Sequence, residues 1–326
     1  MANIKQIAQL AGVSVTTVSR VLNNHPYVSA DKRANVLRTM EQLKYTRNMN
    51  AVHLITGQTK AIAVIIPFIN FFYFSVILEG LAQEALQAQY RLILCQTDYQ
   101  AEEELKVLDM LRNKEIDGVV IVSTALDVGT IEEYTEYGPI VTCQDSGNRR
   151  FSSIYIEHYS AFREGLQYLQ EKGYRNIGYC EGRKNGNSSA LRQLAYKDFF
   201  REIEHPLHEE WILFDCFTVE DGAAVLHRLL NMKQRPDALI IAGDHVAAGL
   251  IIEAGKHNLR IPQDLAVIGF DNQPIGRLLG LTTIDNQLFE MGVSAFRIIL
   301  EQINGEGSGE PVHCKLDFRI IERSTV

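Results

Sequence analysis

Residues 11–22 read AGVSVTTVSRVL, a short helical pattern with many β-branched residues, which are mediocre helix formers. Gly12 breaks the run that precedes it, and Ser14 can cap the helix that follows. Three apolar residues recur at helical spacing and predict a buried face: Val18, Val21 and Leu22. The opposite face of the same helix carries Val15, Thr16, Ser19, Arg20 and Asn23.

The sequence on either side of this stretch predicts two more short helices and no strand. The first helix is indicated by a shared apolar face of Ile4, Ile7, Ala8 and Ala11. The third helix can begin after Ser29, with Asp31 in its first turn, and its buried side comprises Val36, Met40 and Leu43. Three small helices with a tight glycine turn between the first two predict a helix-turn-helix unit over residues 1–45.

The charge of the chain is distributed unevenly between its start and the remainder. The 326 residues carry a formal net charge of −8. Residues 1–60 contain eight Lys and Arg against two Asp and Glu, a balance of +6, so the remainder carries −14. A basic segment joined to an acidic body suggests that the basic segment meets a polyanion.

The outward face of the second helix has the chemistry of a DNA major-groove reader. Short side chains lie near its start, and one long cation, Arg20, lies further along. Val15 can touch a thymine methyl, Thr16 can reach a base edge, and Arg20 can make a paired contact to guanine. Phosphate contacts are expected from Lys5, Ser14, Thr17 and Asn23. The alternative is an ordinary solvated helix face, which the +6 charge and the glycine turn disfavour.

From Lys60 onward the sequence alternates between strand-like and helix-like segments. Apolar runs of strand length include AIAVIIP, DGVVIV and LAVIGF, and helical stretches lie between them. This rhythm predicts an α/β body of two doubly wound parallel-sheet lobes over residues 60–326, with a ligand cleft between them. Residues 46–59 are weakly helical and have too little apolar surface to fold alone. They are either a plain linker or a hinge that orders only against a partner.

Several classes of protein are disfavoured by what the sequence lacks. No apolar run approaches the length of a membrane span, and the start does not resemble a signal peptide, so a cytoplasmic, nucleoid-associated protein is expected. The five cysteines are scattered, which predicts free thiols. No nucleophile elbow, zinc-protease motif or phosphate loop is present, so neither an enzyme nor a cofactor is expected. His205 and His208 have metal-ligand spacing, but the flanking sequence favours a surface turn, and no metal is expected.

The segment IKQIAQLAGVSVTTVSRVLNN closely resembles the opening of the lactose/galactose-repressor (LacI/GalR) family of bacterial transcription regulators. The resemblance continues through TGQTKAIAVIIP, EKGYRNIGY, IPQDLAVIGFDN and the final RST, and so covers nearly the whole chain. It implies a repressor whose headpiece binds a palindromic operator as a homodimer and whose body, like a periplasmic sugar-binding protein of type I, binds a small effector. A transport protein would share that body but lacks a basic headpiece.

The family resemblance also assigns roles to individual DNA-contacting residues. Val15, Thr16 and Arg20 match the family's base readers, and Leu54 matches the leucine that wedges into the minor groove from the hinge. An apolar wedge between base steps kinks the duplex and increases contact. The hinge departs from the family wording, because Arg47 replaces a proline and an arginine is also missing. Insertion of Leu54 therefore rests on that one residue.

Four residues match effector-binding positions of the family. They are Phe74, Arg192, Asp244 and Asp271. Each of the first three has a structural alternative: core packing for Phe74, a helix cap for Asp244 and a surface ion pair for Arg192. No such alternative applies to Asp271, which follows an apolar strand at its carboxyl end. Gln144–Asp145 replaces an Asp-Arg pair common in the family, so the family's hydroxyl contacts at that pair are not carried over to this chain.

The effector is expected to be a sugar or oligosaccharide. The wording of NNHPYVS and EYGPIVTCQDSG is most similar to regulators of maltodextrin or other α-glucoside uptake in Gram-positive bacteria. A sugar inducer would release the repressor from DNA. The alternative is a corepressor mechanism, in which a non-sugar metabolite or a partner protein raises DNA affinity. The chain ends after its last strand pattern with no heptad tail, so a dimer is expected rather than a tetramer.

Overall fold

The computed structural model describes residues 2–46, 53, 57–306 and 309–326. The chain divides into two compact units, Met1–Gln58 and Thr59–Val326, which are considered separately. Most of the predicted hinge, including Leu54, lies outside the described residues. The hinge therefore remains a prediction.

Residues 2–46 of the N-terminal unit form three helices. They are α1 (Ile4–Leu10), α2 (Val15–Leu22) and α3 (Ala30–Gln42). The small core has the composition that the apolar spacing predicts: Ile7, Ala8, Ala11, Val18, Val21 and Val36 are all buried. Gly12 has a φ of +65°, a conformation that glycine adopts without strain, and it forms the turn between α1 and α2. From α3, Asn35 donates its side-chain N–H to the Ala11 carbonyl over 3.1 Å and fixes the end of α1.

The larger unit is built on two six-stranded sheets, one in each of two lobes. Strands of the first lobe are β1 (Ala61–Ile66), β2 (Arg91–Gln96), β3 (Gly118–Ile121), β4 (Ile140–Thr142), β5 (Ser152–Ile156) and β11 (His313–Leu316). Strands of the second lobe are β6 (Ile177–Cys180), β7 (Ile212–Leu213), β8 (Ala238–Ile241), β9 (Ala266–Phe270), β10 (Thr282–Asp285) and β12 (Arg319–Ile321). The orders are β11-β5-β4-β3-β1-β2 and β12-β10-β9-β8-β6-β7.

All neighbouring strands of these two sheets are parallel except β12, which runs antiparallel to β10. The prediction of two doubly wound parallel-sheet lobes is confirmed, with this one edge strand as the exception. The sequence pattern could not reveal the exception, because strand direction is set by how the chain returns to the sheet. The central strands β1, β3, β8 and β9 are buried along their whole length, as expected where helices cover both faces.

Nine helices of the described body accompany these strands. In the first lobe they are α4 (Phe72–Gln87), α5 (Ala101–Arg112), α6 (Val128–Glu133) and α12 (Leu288–Asn304). In the second they are α7 (His158–Glu171), α8 (Asn187–Glu202), α9 (Val219–Leu230), α10 (Asp244–Lys256) and α11 (Pro274–Leu278). Short 3₁₀ helices lie at Tyr134–Glu136 and Glu209–Trp211. Gly80 and Gly292 let α4 and α12 pack closely, since a Cβ at either would lie within 2.2 Å of a backbone oxygen.

Within the described residues, the chain crosses between the two lobes three times. The crossings lie at Glu157, at Asn286–Gln287 and at Asp317–Phe318, between elements of opposite sheets. The second and third are tied together, because Gln287 donates its side-chain N–H to the Asp317 carbonyl over 2.6 Å. Beside them an ion pair of 3.1 Å joins Arg319 to Asp285. The three crossings lie side by side and connect the two lobes, so the lobes can open and close about them.

Candidate functional site

The start of helix α2 is fixed by its own side chains. The Ser14 hydroxyl oxygen accepts the Thr17 backbone N–H over 3.2 Å, as expected for an N-cap. The hydroxyls of Ser14 and Thr17 also lie 2.9 Å apart and hydrogen-bond to each other. These two residues therefore hold the helix start in shape, and Thr17 is only half exposed.

The face of α2 opposite the core has the predicted composition. Val15 is 45% exposed, an unusual fraction for a valine, and Thr16, Ser19, Arg20 and Asn23 are also exposed. Asn23 is the C-cap residue of the helix. Lys5 projects from α1 and is exposed. Within the part of the chain that the structure describes, neither Lys5 nor Arg20 has an acidic partner, so both cations are available to a polyanion.

The turn after α2 depends on a residue that the sequence pattern did not single out. Arg33, on α3, donates to the Asn24 side chain over 3.2 Å and to the His25 carbonyl over 2.7 Å. Asn24 has a φ of +50°, so the chain reverses sharply there. An arginine in a basic segment is readily assigned to DNA, and only the structure shows that Arg33 holds the turn.

The body encloses a cavity of about 520 Å³ between its two lobes. The first lobe contributes residues 122–128 after β3, the start of α4, Tyr99 and Gln144. The second contributes residues 181–183 after β6, the start of α8, Phe217, His245 and Asp271. Nearly all of these follow the carboxyl ends of parallel strands, where ligands of open α/β sheets bind. Of the four predicted effector residues, the cavity brings together Phe74, Arg192 and Asp271.

Arg192 forms the charged centre of the second-lobe wall. Its Nη1 lies 3.1 and 3.2 Å from the two Glu181 carboxylate oxygens, and its Nη2 donates to His158 Nδ1 over 3.2 Å. The guanidinium also lies 4.6 Å above the Phe270 ring. Its Nε is buried and has no hydrogen-bond partner in the described chain. The surface ion pair considered for Arg192 is therefore wrong, because the ion pair between Arg192 and Glu181 is buried. The guanidinium group directs one of its two terminal nitrogens to Glu181 and the other to His158.

Asp271 lies next to this ion pair and is held by two amides. Asn286 donates to its Oδ1 over 2.6 Å, and Gln273 donates to its Oδ2 over 3.2 Å. Burial raises the pKa of Asp271 to about 7, and the nearby Arg192 opposes this shift without cancelling it. The side chain is only 8% exposed. Its carboxyl group can therefore accept or donate hydrogen bonds near neutral pH.

Asp244 does not line the cavity, and its assignment to the effector needs correction. Its Oδ1 accepts the Thr283 hydroxyl over 2.6 Å, and its Oδ2 accepts the Gln273 backbone N–H over 2.6 Å. The residue is fully buried, and burial raises the pKa of its carboxyl to about 8. It occupies the first position of α10 without capping it. The aspartate instead ties α10 to the loop that supports Asp271, a role that the residue type alone does not distinguish from ligand binding.

Aromatic rings from both lobes meet at the cavity. Phe71, from the first lobe, lies parallel to Phe217, from the second, with ring centroids 5.9 Å apart and planes inclined by 5°. Phe74 lines the cavity but is only 5% exposed, belongs to the main core and stacks behind Phe71 at 6.2 Å. Both the core-packing and the cavity assignments of Phe74 are thus satisfied. The ring best placed to meet a ligand is Phe71, the first member of the FFYF run.

Besides its aromatic rings, the first-lobe wall includes the loop after β3 and the polar side chain of Gln144. Glu104 is fully buried and accepts the backbone N–H groups of Ala125 and Leu126 at 2.9 and 3.2 Å, which fixes the loop after β3. Gln144 donates to the Ser123 hydroxyl over 3.4 Å. The Arg183 guanidinium lies 3.8 Å above the Tyr99 ring, so a cation of one lobe covers an aromatic of the other.

Glu181 and His158, the two partners of Arg192, are among the cavity residues that the sequence reasoning missed. Glu181 immediately follows the apolar strand IGYC, and the strand-end rule that selected Asp271 could also have selected it. His158 had no such signal, because it follows a chain crossing that only the structure reveals. Burial, and then the charge of Arg192, lower the pKa of His158 well below its usual value, so its ring is neutral and accepts from Arg192.

In the described part of the chain, no helix is both long and apolar enough to span a membrane.

Residues 3–48 match the family of bacterial regulatory proteins named for LacI, and residues 166–326 match a periplasmic binding protein-like domain.

The chain is 45% identical to YkvZ, an uncharacterized HTH-type transcriptional regulator of Bacillus subtilis (strain 168), over 100% of both chains. It is 36% identical to the NTD biosynthesis operon regulator NtdR of the same strain, again over 100% of both.

Solved structures with the same fold include the lac repressor dimer bound to operator and the anti-inducer ONPF. This match has a TM-score of 0.83 at 22% identity and covers 99% of this chain and 98% of that one. Another is a LacI family regulator from Lactobacillus casei with bound sucrose, with a TM-score of 0.75 at 24% identity over 82% and 99% of the two chains. The chain therefore belongs to the LacI family of bacterial transcription regulators, and it is a DNA-binding regulator rather than an enzyme.

Proposed function

We propose that this regulator is a repressor that binds a palindromic operator as a homodimer and is released by a small carbohydrate. Val15, Thr16 and Arg20 read base edges, because they occupy the exposed face of a capped helix whose cation has no acidic partner among the described residues. Lys5, Ser14, Thr17 and Asn23 position the helix on phosphates. Leu54 enters the minor groove from the hinge over residues 46–59.

Exposed apolar side chains on the body support the homodimer. Leu86 on α4 is 80% exposed and Leu94 on the edge strand β2 is 46% exposed. In the other lobe Leu278 on α11 is 83% exposed. A second copy that covered such side chains would bury apolar area in a self-complementary contact. Two headpieces held by one dimer match the two halves of a palindrome.

The cavity favours a neutral polyhydroxylated ligand. Its buried charges are paired, since Arg192 faces Glu181, and near neutral pH Asp271 is only partly ionised. The less buried Asp127 and Arg183, which also line the cavity, have opposite charges. Serine hydroxyls, asparagine and glutamine amides and backbone groups supply further donors and acceptors, and Phe71 and Phe217 supply apolar faces for a sugar ring. A volume of about 520 Å³ lies within the usual range for small-ligand sites. The Lactobacillus casei regulator of this fold binds sucrose, so the fold accommodates a disaccharide.

The observation that carries the effector half of the proposal is the position of this cavity between two lobes joined by three crossings. A ligand that contacts both walls changes the relative stability of the open and closed arrangements, and an effector acts only through such differential affinity. We expect the ligand-bound arrangement to favour the released state. Under a corepressor mechanism it would favour the DNA-bound state.

A gel-shift titration tests the proposal and its alternative together. The purified full chain is bound to operator fragments selected from random DNA, and a panel of glucosides, oligosaccharides and sugar phosphates is then added. A neutral sugar that releases the operator supports the proposal, whereas a ligand that tightens binding supports corepression. Failure to select any DNA sequence would contradict the operator assignment itself.

A further inference from the structure

Three potential metal ligands meet on the second lobe, away from the cavity. They are His227 on α9, Glu253 on α10 and His257, the C-cap residue of α10. The Nε2 atoms of His227 and His257 lie 3.3 and 3.5 Å from the same carboxylate oxygen, Glu253 Oε1. All three ligand atoms lie within 4.8 Å of one another. We propose that these residues bind a divalent transition-metal ion of the Zn²⁺ type.

The spacing of the three groups suits such an ion. Zinc bonds to histidine nitrogen and carboxylate oxygen are about 2.0–2.2 Å long, so neighbouring ligand atoms of a tetrahedral site lie about 3.3–3.5 Å apart. The two nitrogen-to-oxygen distances fall in this range. The imidazole planes stand at 87° with centroids 5.2 Å apart, so the rings do not stack, and each places its Nε2 beside Glu253 Oε1. Two imidazoles and a carboxylate leave a fourth position for water.

The backbone that carries the ligands is rigid. Glu253 and His257 are four residues apart and share one helix face. His227 comes from the neighbouring helix, and the two helices pack closely at Gly222 and Gly249. A Cβ at either glycine would lie within 2.0 Å of a backbone oxygen of the other helix. This close packing sets the spacing of the two helices, and so of the backbone that carries the three ligands, without the ion.

The two helix ends favour a cation at this place, although the charge of Lys256 opposes one. The cluster lies in the last turns of both helices, where the helix dipoles present their negative ends. Lys256 Nζ occupies the other oxygen of Glu253 at 2.7 Å, so Oε1 remains for the ion. His227 and His257 are 53% and 40% exposed at the side chain, which gives an ion access from solvent.

The proposed site shares no residue with the DNA-binding face or with the cavity lining. It nonetheless bears on the cavity, because α9 and α10 both begin there. Phe217 and His245 line the cavity at the two helix starts, and His245 Nε2 lies 2.6 Å from the Phe217 carbonyl. With an ion bound, α9 and α10 would be joined at both ends, by the His245–Phe217 contact at their starts and by the ion at their last turns. The sequence pattern does not indicate this site, because its ligands lie on two different helices, whereas His205 and His208 are three residues apart.

Those two histidines provide the matched control. His208 stacks on Trp211 with centroids 4.0 Å apart and lies near Glu210, while His205 Nδ1 lies near its neighbouring carbonyl. Zinc binding to the full chain, without an affinity tag, is measured by competition with a chromophoric zinc indicator. We expect one Zn²⁺ per chain. His227→Ala and His257→Ala should each weaken binding about tenfold or more, since removing even a residue that only orients a ligand costs about 10–100-fold. His205→Ala/His208→Ala should leave it unchanged.

Both single variants alter exposed side chains, so folding is retained and can be checked by melting temperature. Zn²⁺ should raise the melting temperature of the parent protein, because an ion that binds only the folded state stabilises it. That rise should disappear in His227→Ala. X-ray absorption at the zinc edge should show two imidazole ligands. Absence of one-to-one binding, or binding that survives both His227→Ala and His257→Ala, would overturn the proposal.

Discussion

Asn286 donates its side-chain N–H to Asp271 over 2.6 Å and thereby connects a chain crossing to the wall of the cavity. Asn286 lies between the second-lobe strand β10 and the first-lobe helix α12. The adjacent Gln287 has a φ of +55° and binds the third crossing. A ligand that bonds to Asp271 is therefore one hydrogen bond away from the second crossing between the lobes. This short path gives a physical basis for coupling between effector and lobe arrangement.

The raised pKa of Asp271 makes stability depend on pH in a defined direction. Its pKa is about 7 in the folded chain against an ordinary value of 3.8, so between these values the folded state keeps a proton that the unfolded state loses. Its contribution is thus complete below about pH 4 and is lost as pH rises through about 7. We expect Asp271→Asn to remove this loss, changing the slope of unfolding free energy by up to about 1.4 kcal/mol per pH unit.

Asp244, with a pKa of about 8, also makes the free energy of unfolding fall as pH rises, and it does so in the parent and in Asp271→Asn. The quantity to measure is therefore the difference in that pH slope between the two proteins. Urea unfolding at several pH values from 4 to 8 provides it. The control is Asp264→Asn, because Arg260 lowers the pKa of Asp264 to about 2 and its contribution is lost only in acid. Equal slopes for the parent and Asp271→Asn would show that Asp271 is ionised throughout.

Arg192→Ala should destabilise the body before any effect on the ligand is considered. The substitution leaves Glu181 buried without its cation, a change that typically costs about 3–5 kcal/mol. Arg192→Met combined with Glu181→Gln removes both charges and should recover much of that loss. Chemical denaturation measures both variants, with Arg201→Ala, at the exposed end of the same helix, as control. A loss below about 1 kcal/mol for Arg192→Ala would contradict the buried pair.

Most of the fold could be predicted because its determinants are local and periodic. Apolar spacing indicated the buried faces of α1, α2 and α3, and the strand runs of the body were uniform enough to predict parallel sheets. The antiparallel β12 could not be predicted in this way, because its direction depends on the third crossing between lobes. Ser29 shows a smaller limit: it occupies the N-cap position of α3 but makes no side-chain cap bond, whereas Asp31 lies in the first turn as predicted.

The effector site was less predictable, because its residues acquire their roles through tertiary contacts. Asp244 and Asp271 both follow buried strands, yet one is sealed behind Thr283 and Gln273 while the other lines the cavity. Their sequence contexts, GD and FD, carry no information about which carboxylate reaches the cavity. The commitment of Arg192 to Glu181 likewise joins residues on different elements. Such pairings require the fold to be known first.

Phe71 should contribute more to effector binding than its neighbour Phe72. Phe71 lines the cavity and stacks across the lobes on Phe217, whereas Phe72 is 55% exposed and lies outside the cavity wall. Loss of an aromatic interaction typically costs about 0.5–1.5 kcal/mol beyond the loss of buried area. Phe71→Ala should therefore lower the affinity for the sugar about tenfold. Phe72→Ala is the matched control. Calorimetric titration with the sugar that releases DNA measures both, and equal affinities would place the ligand elsewhere.

Arg20 and Lys5 should affect operator binding in different ways. Both are exposed and lack acidic partners among the described residues, but Arg20 lies on the outward face of α2 whereas Lys5 lies on α1. Arg20→Ala should cost about 1–3 kcal/mol per half-site on the selected operator and relax preference at one base position. Lys5→Ala should weaken all sequences alike and reduce the salt dependence of binding.

Salt dependence separates these two effects. If a dimer neutralises about six to ten phosphates, log K falls with log salt at a slope of roughly −5 to −9. Lys5→Ala should make that slope shallower by about one for each phosphate that is no longer neutralised, whether the DNA is operator or random sequence. For Arg20→Ala, the ratio of operator to random-sequence affinity should fall instead, because a base contact carries the discrimination. Filter-binding titrations at several salt concentrations measure both quantities. A uniform loss of affinity in both variants, with the operator preference intact, would show that α2 does not read the bases.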